Sequence, residues 1–219
     1  WYTKTKIWTI FMIKLKELIE LKSLVYTEEV TPKHQKKMDM KLSVFHENLA
    51  LPYRPKPDND SPDTMRELKY LSSLKTNEEE VKRGDDIKEN FIPLIEENNI
   101  PLSKDYVNKV IKESAKFIMD LKYHYNRPRP YQVAEIYELN LHGTELDSMK
   151  TPSYPSGHAV QAYLIAELFS NVDPRGSHQY QELAERVSHS RIIAKAHYPS
   201  DKTYGKKVAK ALFQGVINK

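Results

Sequence analysis

The chain has no cysteine and little glycine, and both shortages limit the structures and the chemistry open to it. Among 219 residues there are 0 Cys, 6 Gly and 13 Pro. Without Cys, disulfide bonds and thiol catalysis are excluded. The compartment is left open, because a thiol-free chain suits reducing and oxidising surroundings alike. Scarce Gly with frequent Pro favours helices separated by proline-marked breaks over a sheet-rich fold.

Long hydrophobic runs are missing as well. The most apolar stretch, residues 7–25, is interrupted by Lys14, Lys16 and Lys22. Its uninterrupted run is far shorter than the ~20 residues that a membrane-spanning helix needs. Its apolar residues recur at helical spacing, which predicts an amphipathic helix packed on the domain or on a partner subunit. A helix lying in the membrane interface is the alternative. No signal-peptide cleavage site with small residues follows the stretch.

Charge of one sign does not dominate. The chain has 34 basic and 30 acidic residues, which gives a formal net charge of +4. This small and dispersed excess does not indicate a nucleic-acid-binding protein, although a modest positive field helps to attract anionic substrates. With 39% hydrophobic and 29% charged residues, the composition is that of a globular protein long enough to bury a core.

Apolar residues at helical spacing predict a chain built from helices. The predicted helices cover residues 62–74, 84–99, 104–126, 157–169, 179–196 and 199–216. We expect Ser61 and Ser103 to cap two of them and Pro93 to interrupt another. Residues 139–151 are predicted to form a loop. These elements together predict an all-α fold, a compact bundle of several helices.

An arginine, a histidine and an aspartate stand close together near the end of the chain, as Arg191, His197 and Asp201. The Arg fork matches a pair of phosphate oxygens, and the His can act as a nucleophile or proton carrier. The Asp can hold one imidazole nitrogen so that the other is free to react. Pro199 would place His197 in a helix–helix corner with Asp201 one turn on. Taken alone, this segment is interpreted equally well as a structural histidine at a helix end with an aspartate beside it.

Two upstream stretches add groups that suit an anion. Ser156 and Gly157 open a predicted helix, whose hydroxyl and free N–H groups can bind an anion, and His158 in its first turn can protonate a leaving group. A capping serine and a surface histidine are the alternative. Lys122 ends another predicted helix, and Arg129 stands in its proline-stiffened exit, so both could converge on one anion. A basic helix end that complements the macrodipole is the alternative here.

In order along the chain, the three stretches resemble the type 2 phosphatidic acid phosphatase superfamily. Its pattern is Lys, six residues, Arg-Pro; then Pro-Ser-Gly-His; then Ser-Arg, five residues, His, three residues, Asp. Every required position is present between residues 122 and 201. Tyr154 before the second motif is similar to the soluble bacterial class A nonspecific acid phosphatases, although Ala159 departs from their pattern. The membrane lipid phosphatases of the superfamily carry several spanning helices, which this sequence does not show.

The resemblance implies a helical bundle of the acid phosphatase and vanadium haloperoxidase type, with one domain over residues 1–219. Its N-terminal amphipathic region would be residues 1–50 and its catalytic core residues 100–219. The implied activity is phosphomonoester hydrolysis through a phosphohistidine. His197 would be the nucleophile, Asp201 would orient it, and His158 would be the general acid. The implied phosphate ligands are Lys122, Arg129, Ser156, Gly157 and Arg191.

The implied mechanism needs no metal and no cofactor, and vanadate would act as an inhibitor. Loose candidate metal ligands, His142 with Asp147 and His178 with Glu182, are interpreted as surface residues. The expected partner is a small phosphomonoester, not nucleic acid. The resemblance also favours a homo-oligomer in the periplasm or outside the cell, and peripheral membrane contact is consistent with the N-terminal helix.

Two other functions are consistent with the motifs. Vanadium-dependent haloperoxidases use the same type of pocket for vanadate as a cofactor, although they are usually much longer chains. A noncatalytic phosphate- or phospholipid-binding module needs no positioned nucleophile, so the intact His197–Asp201 pair disfavours it. The sequence does not name the substrate. A tyrosine rim that stacks on the leaving group would consist of Tyr123, Tyr125, Tyr131 and Tyr154, which suit a core equally well.

Overall fold

Helices are the only regular secondary structure in the described residues of the computed structural model, which are 14–27, 29–46 and 48–217. This confirms the predicted all-α class. Residues 14–23 form α1 as far as it is described. The other helices are α2 (Pro32–Met38), α3 (Pro62–Ser73), α4 (Glu78–Arg83), α5 (Ile87–Glu97), α6 (Lys104–Tyr125), α7 (Pro130–Ile136), α8 (Gly157–Val172), α9 (Ser177–Ile193) and α10 (Pro199–Ile217). Short 3₁₀ turns occur at Asp147–Met149 and Pro174–Gly176.

Helix α8 is the centre of the bundle. It packs most extensively on α9 and α10 and also on α5 and α6, and it is apolar nearly all round, as a fully enclosed helix must be. Its buried residues are Ala159, Val160, Ala162, Tyr163, Leu164, Ile165, Ala166, Leu168 and Phe169. The small residues among them let neighbouring helices approach closely. The N-terminal end of α8, which carries the second motif, is therefore held inside the protein.

A glycine brings α10 against that end of α8. A Cβ added at Gly205 would lie 2.9 Å from the Ala159 Cβ and 3.0 Å from the Ser156 carbonyl oxygen. Only the absence of a side chain allows this approach. Because α10 begins at Pro199, the contact places the first turns of α8 and α10 next to each other. The second and third motifs are adjacent for this reason.

Both predicted serine caps agree with the structure. The hydroxyl of Ser103 accepts a hydrogen bond from the Tyr106 N–H at 3.1 Å, and Ser61 caps α3 in the same way. Helix α6 ends where the proline-rich segment begins, with Asn126 in the left-handed region at φ 44°. Helix α9 ends at Ile193, three residues before the predicted end, because Lys195 turns the chain at φ 58°. That turn leads into His197.

Three local predictions are corrected. Pro93 lies inside α5 and does not interrupt it, because the buried apolar face of that helix outweighs the local cost of proline. Helices α2 and α7 are absent from the prediction. Each is 7 residues long and has a proline at its first or second position, which is a start signal. Two turns of helix are too short for apolar residues to show a helical period in the sequence.

Within residues 14–23, the described part of the predicted N-terminal amphipathic helix, Leu21 is the one buried residue. Leu21 is 3% exposed and packs in a cluster with residues of α3 and α7. Leu15, Leu18 and Val25 are 39%, 41% and 41% exposed. The predicted part of this helix at residues 7–13 lies outside the described residues. Among the described helices, none is long and apolar enough to cross a membrane.

Candidate active site

His197 and Asp201 form a buried pair in the corner between α9 and α10. The His197 Nδ1 lies 3.0 Å from Asp201 Oδ2, and its Nε2 lies 3.0 Å from an Arg129 guanidinium nitrogen. Because a guanidinium has no acceptor, Nε2 accepts from Arg129, and the single proton of the neutral ring is on Nδ1, donated to Asp201. Burial lowers the pKa of His197 well below its ordinary value, with Arg129 adding to the shift. The ring is therefore neutral near pH 7, with its lone pair on Nε2.

The carboxylate of Asp201 is fully buried and accepts four hydrogen bonds. Oδ2 accepts from His197 Nδ1, from the Tyr198 N–H at 3.0 Å and from the Ser153 hydroxyl. Oδ1 accepts from Arg127 at 2.6 Å. Burial alone would raise the pKa of Asp201, but the Arg127 charge and these hydrogen bonds outweigh it and hold the pKa well below its ordinary value. Asp201 is thus a fixed carboxylate that sets the tautomer of His197.

Arg129 is held in place by all five of its N–H donors. They go to the carbonyl oxygens of Ser148, Thr151 and Ala196 at 2.7 to 2.8 Å, to the Thr151 hydroxyl at 3.2 Å and to His197. Arg129 is 0% exposed. None of these acceptors carries a negative charge, so the guanidinium is oriented by the protein without being neutralised by it.

Lys122 is the second buried cation without a counter-ion. It is 3% exposed and its Nζ donates to the carbonyl oxygen of Pro152. Among the described residues, neither Lys122 nor Arg129 has a carboxylate oxygen within 4.0 Å. Burial lowers the pKa of Lys122 well below its ordinary value, with the nearby Arg129 charge adding to it, and burial lowers that of Arg129 to about 10. Two buried basic groups without a carboxylate partner make a site that favours an anion, because a bound anion would offset the cost of burying their charged forms.

A cavity of about 300 Å³ opens beside these cations. Four of the predicted site residues line it: Lys122, Gly157, His158 and His197. Its wall also includes residues of α2 and of the loop before α8, namely Lys33, His34, Lys37, Asp147, Ser148 and Thr151, and residues of α6 and α8, namely Ala115, Ile118, Met119 and Gln161. The structure thus brings the proposed nucleophile and the proposed general acid to one cavity, with Arg129 and Asp201 behind the nucleophile.

The first turn of α8 supplies backbone donors at this cavity. Ser156 is the N-cap: its hydroxyl accepts from the Ala159 N–H at 3.4 Å, and its own N–H donates to the Asp201 carbonyl oxygen at 3.2 Å. Ser156 is fully buried and does not line the cavity, so its hydroxyl serves the cap here. Gly157 does line it. The N–H groups of a first turn have no carbonyl partner within their helix, which makes them available to an anion.

His158 and Arg191 share one partner, Asp85, in the turn between α4 and α5. The His158 Nε2 donates to the Asp85 carbonyl oxygen at 2.8 Å, and Arg191 donates to the Asp85 carboxylate and to the carbonyl oxygen of Val81. Burial lowers the pKa of His158 to about 4, and Arg191 adds to the shift while Asp85 opposes it. Arg191 does not line the cavity but lies behind the general-acid candidate.

Comparison with protein families connects this geometry to a known group. Residues 109–216 match the family model described as the PAP2 superfamily. The chain belongs to the PAP2 superfamily. The matched segment runs from α6 to α10 and contains all three motifs.

A solved structure with the same fold supports the architecture of this PAP2 chain. It is described as the crystal structure of the first bacterial vanadium-dependent iodoperoxidase, with a TM-score of 0.54 and 17% sequence identity. The match covers 80% of this chain and 54% of that chain, so the present chain corresponds to about half of that protein's length. Among curated proteins, none matches the sequence.

Several residues of the PAP2 site have no signal in the sequence motifs. Arg127 is 1% exposed, lies 3.7 Å from the centre of the Tyr198 ring, and pairs with Asp201 and with Glu67 at 3.0 Å. Its position two residues before Arg129 was the one available hint. Glu67 and Asp85 lie outside the matched segment, on α3 and after α4, so only the folded chain brings them to the motifs.

The interpretation of the four tyrosines as a rim around the leaving group is wrong for Tyr154, which is a core residue. Tyr154 is 1% exposed, stacks on Tyr204 with ring centres 4.5 Å apart, and donates its hydroxyl to the Arg54 carbonyl oxygen. Tyr131 is exposed but lines a different cavity. None of the four tyrosines lines the cavity beside His197, whereas Lys33 and Lys37 of α2 do.

Proposed function

We propose that this PAP2 protein is a phosphomonoester hydrolase of the acid phosphatase type, working through a phosphohistidine without a metal ion. The observation that supports it most is the pair of buried cations without a counter-ion, Lys122 and Arg129, beside the available Nε2 of His197. A phosphoryl group would supply the missing negative charge. Phosphoryl transfer depends mainly on positioning and on charge stabilisation, and these cations with the α8 N–H groups provide both.

In the first step, the Nε2 lone pair of His197 attacks phosphorus and a P–N bond forms. The P–O bond to the leaving group breaks, and its electron pair goes to the departing oxygen. The N–H of Arg129 that had been donated to Nε2 is released by this attack and becomes available to a phosphoryl oxygen. Asp201 accepts from the Nδ1 proton throughout and stabilises the positive charge on the ring.

His158 would give the proton that the leaving oxygen needs. In the free protein its pKa of about 4 leaves it neutral near pH 6. A bound phosphate dianion offsets the charges of Lys122 and Arg191 and raises that pKa, because a nearby opposite charge favours the protonated imidazole. In the second step, water attacks phosphorus, the P–N bond breaks, and His158 takes the proton from water.

The first test is the release of phosphate from an aryl phosphate between about pH 5 and 7, where a histidine acid and base can both act, with a chelator present. We expect turnover that the chelator does not reduce and that vanadate inhibits competitively, because a tetrahedral oxyanion fits the same cations. Loss of turnover on chelation, or equal activity at saturating vanadate, would contradict the proposal.

Vanadate also defines the competing function. The buried cations without a counter-ion fit a vanadate ion: Lys122, Arg129 and the Gly157 N–H would hold its oxygens beside the His197 Nε2. Bound vanadate would supply halide oxidation, the chemistry named for the iodoperoxidase of the same fold. Iodide oxidation after vanadate loading, in a folded protein that releases no phosphate from any ester, would favour this function over hydrolysis.

The general acid can be tested separately from the nucleophile. Replacing His158 with Gln is expected to slow an alkyl phosphate by on the order of 10²-fold or more, because its leaving alkoxide needs a proton. A 4-nitrophenyl ester, whose leaving group is stable as an anion, should lose far less. The measurement is kcat for both esters in both proteins. An equal loss for both esters would show that His158 does not protonate the leaving group.

A further inference from the structure

The wall of the active-site cavity includes a short helix that the superfamily match does not reach. Helix α2 lies outside residues 109–216, yet Lys33, His34 and Lys37 line the same cavity as His158 and His197. It is docked on α6 by a hydrogen bond of 2.6 Å between His34 Nδ1 and the Tyr123 hydroxyl. Tyr123 directly follows Lys122, so α2 is fixed relative to the phosphate-binding end of α6.

Two lysines on one face of α2 make this wall positive. Lys33 and Lys37 are four residues apart, which places them on the same side of a helix. Among the described residues, neither has a carboxylate oxygen within 4.0 Å. Asp147 lines the cavity too; its hydrogen bond with Lys150 at 2.6 Å lowers its pKa, and the Lys33 charge adds to the shift. The outer wall of the cavity, formed by α2, therefore holds two cations that have no close ion pair among the described residues.

The lysine charges around the cavity act on the titratable groups of α2. Burial lowers the pKa of His34, and Lys37, Lys33 and Lys122 add to the shift in that order. Burial also lowers the pKa of Lys37, with Lys33 adding to it. Because like charges are held close together, an anion between them would relieve their repulsion. One transferred phosphoryl group needs only the inner cations, Lys122 and Arg129, and leaves the outer pair unused.

We propose that Lys33 and Lys37 form a second anion subsite, which selects phosphate esters whose leaving group carries a phosphate of its own. The proposal rests on the phosphohydrolase function proposed above and adds a substrate class to it. The transferred phosphoryl group lies at Lys122 and Arg129, while the phosphate on the leaving group contacts α2. The chemical class is that of bisphosphates, and simple alkyl or aryl monophosphates are poorer substrates.

Matched substrates isolate the second phosphate. We would measure kcat/KM for α,ω-alkanediol bisphosphates of two to six carbons and for the alkyl monophosphates of the same lengths. A bisphosphate has a twofold statistical advantage in kcat/KM, because either of its two phosphates can be the one transferred. Two partly exposed cations are expected to add roughly tenfold beyond it at low salt, and this gain should shrink as ionic strength rises.

The variant K33Q/K37Q is expected to remove most of this preference, lowering kcat/KM roughly tenfold more for the best bisphosphate than for its monophosphate. The control K36Q/K112Q removes the same charge from α2 and α6, and neither residue lines the cavity. It should keep the preference. Equal turnover of both substrate types beyond the statistical factor, or an equal loss in both double variants, would overturn the subsite and leave the phosphatase function standing.

Binding separates a failure of the subsite from a failure of the function. In a His197→Ala chain that cannot turn over, calorimetry with the best bisphosphate and its monophosphate should give the same difference in affinity. Adding K33Q/K37Q should abolish that difference. A protein that hydrolyses no ester but retains this lysine-dependent difference would contradict the hydrolase function alone. Equal affinities for both ligands would contradict the subsite.

Discussion

Replacing His197 with alanine is expected to reduce phosphatase turnover by on the order of 10⁴-fold or more, because the covalent step loses its nucleophile. The fold should persist. His197 is a small part of a large core, and after its removal Arg129 keeps four other hydrogen bonds and Asp201 keeps three. The measurements are kcat with an aryl phosphate and the free energy of unfolding.

A matched control and a trapped intermediate complete this experiment. His178 is an exposed histidine on α9, paired loosely with Glu182 at 3.4 Å, so His178→Ala should retain full activity. Rapid base quenching of the unmodified protein with labelled substrate should give a phosphoryl group on the chain that is stable in base and labile in acid. The label should be missing in His197→Ala. Undiminished turnover in a folded His197→Ala protein, or label that remains on it, would remove His197 as the nucleophile.

Replacing Asp201 with asparagine is expected to damage both catalysis and stability. An amide that donates to Nδ1 would move the ring proton to Nε2 and hide the lone pair, which costs on the order of 10³- to 10⁴-fold in kcat in a comparable arrangement. Arg127 would lose the fully buried one of its two carboxylate partners, at a cost on the order of 3 kcal/mol of unfolding free energy. The measurements are kcat and denaturant unfolding of the same preparation.

Glu67 provides the matched comparison for Asp201. It contacts the same Arg127 at 3.0 Å and also accepts from the Ser200 N–H, but it does not touch His197. Glu67→Gln should therefore destabilise the protein while keeping most of its turnover. If both variants lose activity in proportion to their loss of stability, Asp201 acts through the fold and not through the tautomer of His197.

The partners of the buried cations distinguish the cation that holds the fold from those that favour an anion. Arg127 is neutralised by Asp201 and Glu67, so it belongs to the structure. Arg129 and Lys122 are oriented by uncharged acceptors alone, so no carboxylate of the described protein balances them. Arg127 and Arg129 are two residues apart in the chain, and only their hydrogen-bond partners distinguish the structural arginine from the one that favours an anion.

Much of the local structure was determined by the sequence itself. The caps at Ser61 and Ser103, the end of α6 and the corner at Pro199 follow from side chains within a few positions of each other, where short-range geometry decides the outcome. The contact of His197 with Asp201 is of the same kind, since the two are four residues apart. The order of the three motifs likewise indicated the superfamily before any tertiary contact was known.

Tertiary structure alone decided which groups surround those motifs. Arg127 pairs with Glu67 across 60 residues, Arg191 with Asp85 across 106, and α2 reaches the cavity from a segment with too few apolar residues to show a period. Helical spacing specifies which face of a helix is buried, but not which distant segment covers it. The positions of His197, His158, Lys122 and Arg129 around one site could therefore be predicted from the chain. The outer wall, with Lys33 and Lys37, could not, because long-range packing of α2 on α6 places it there.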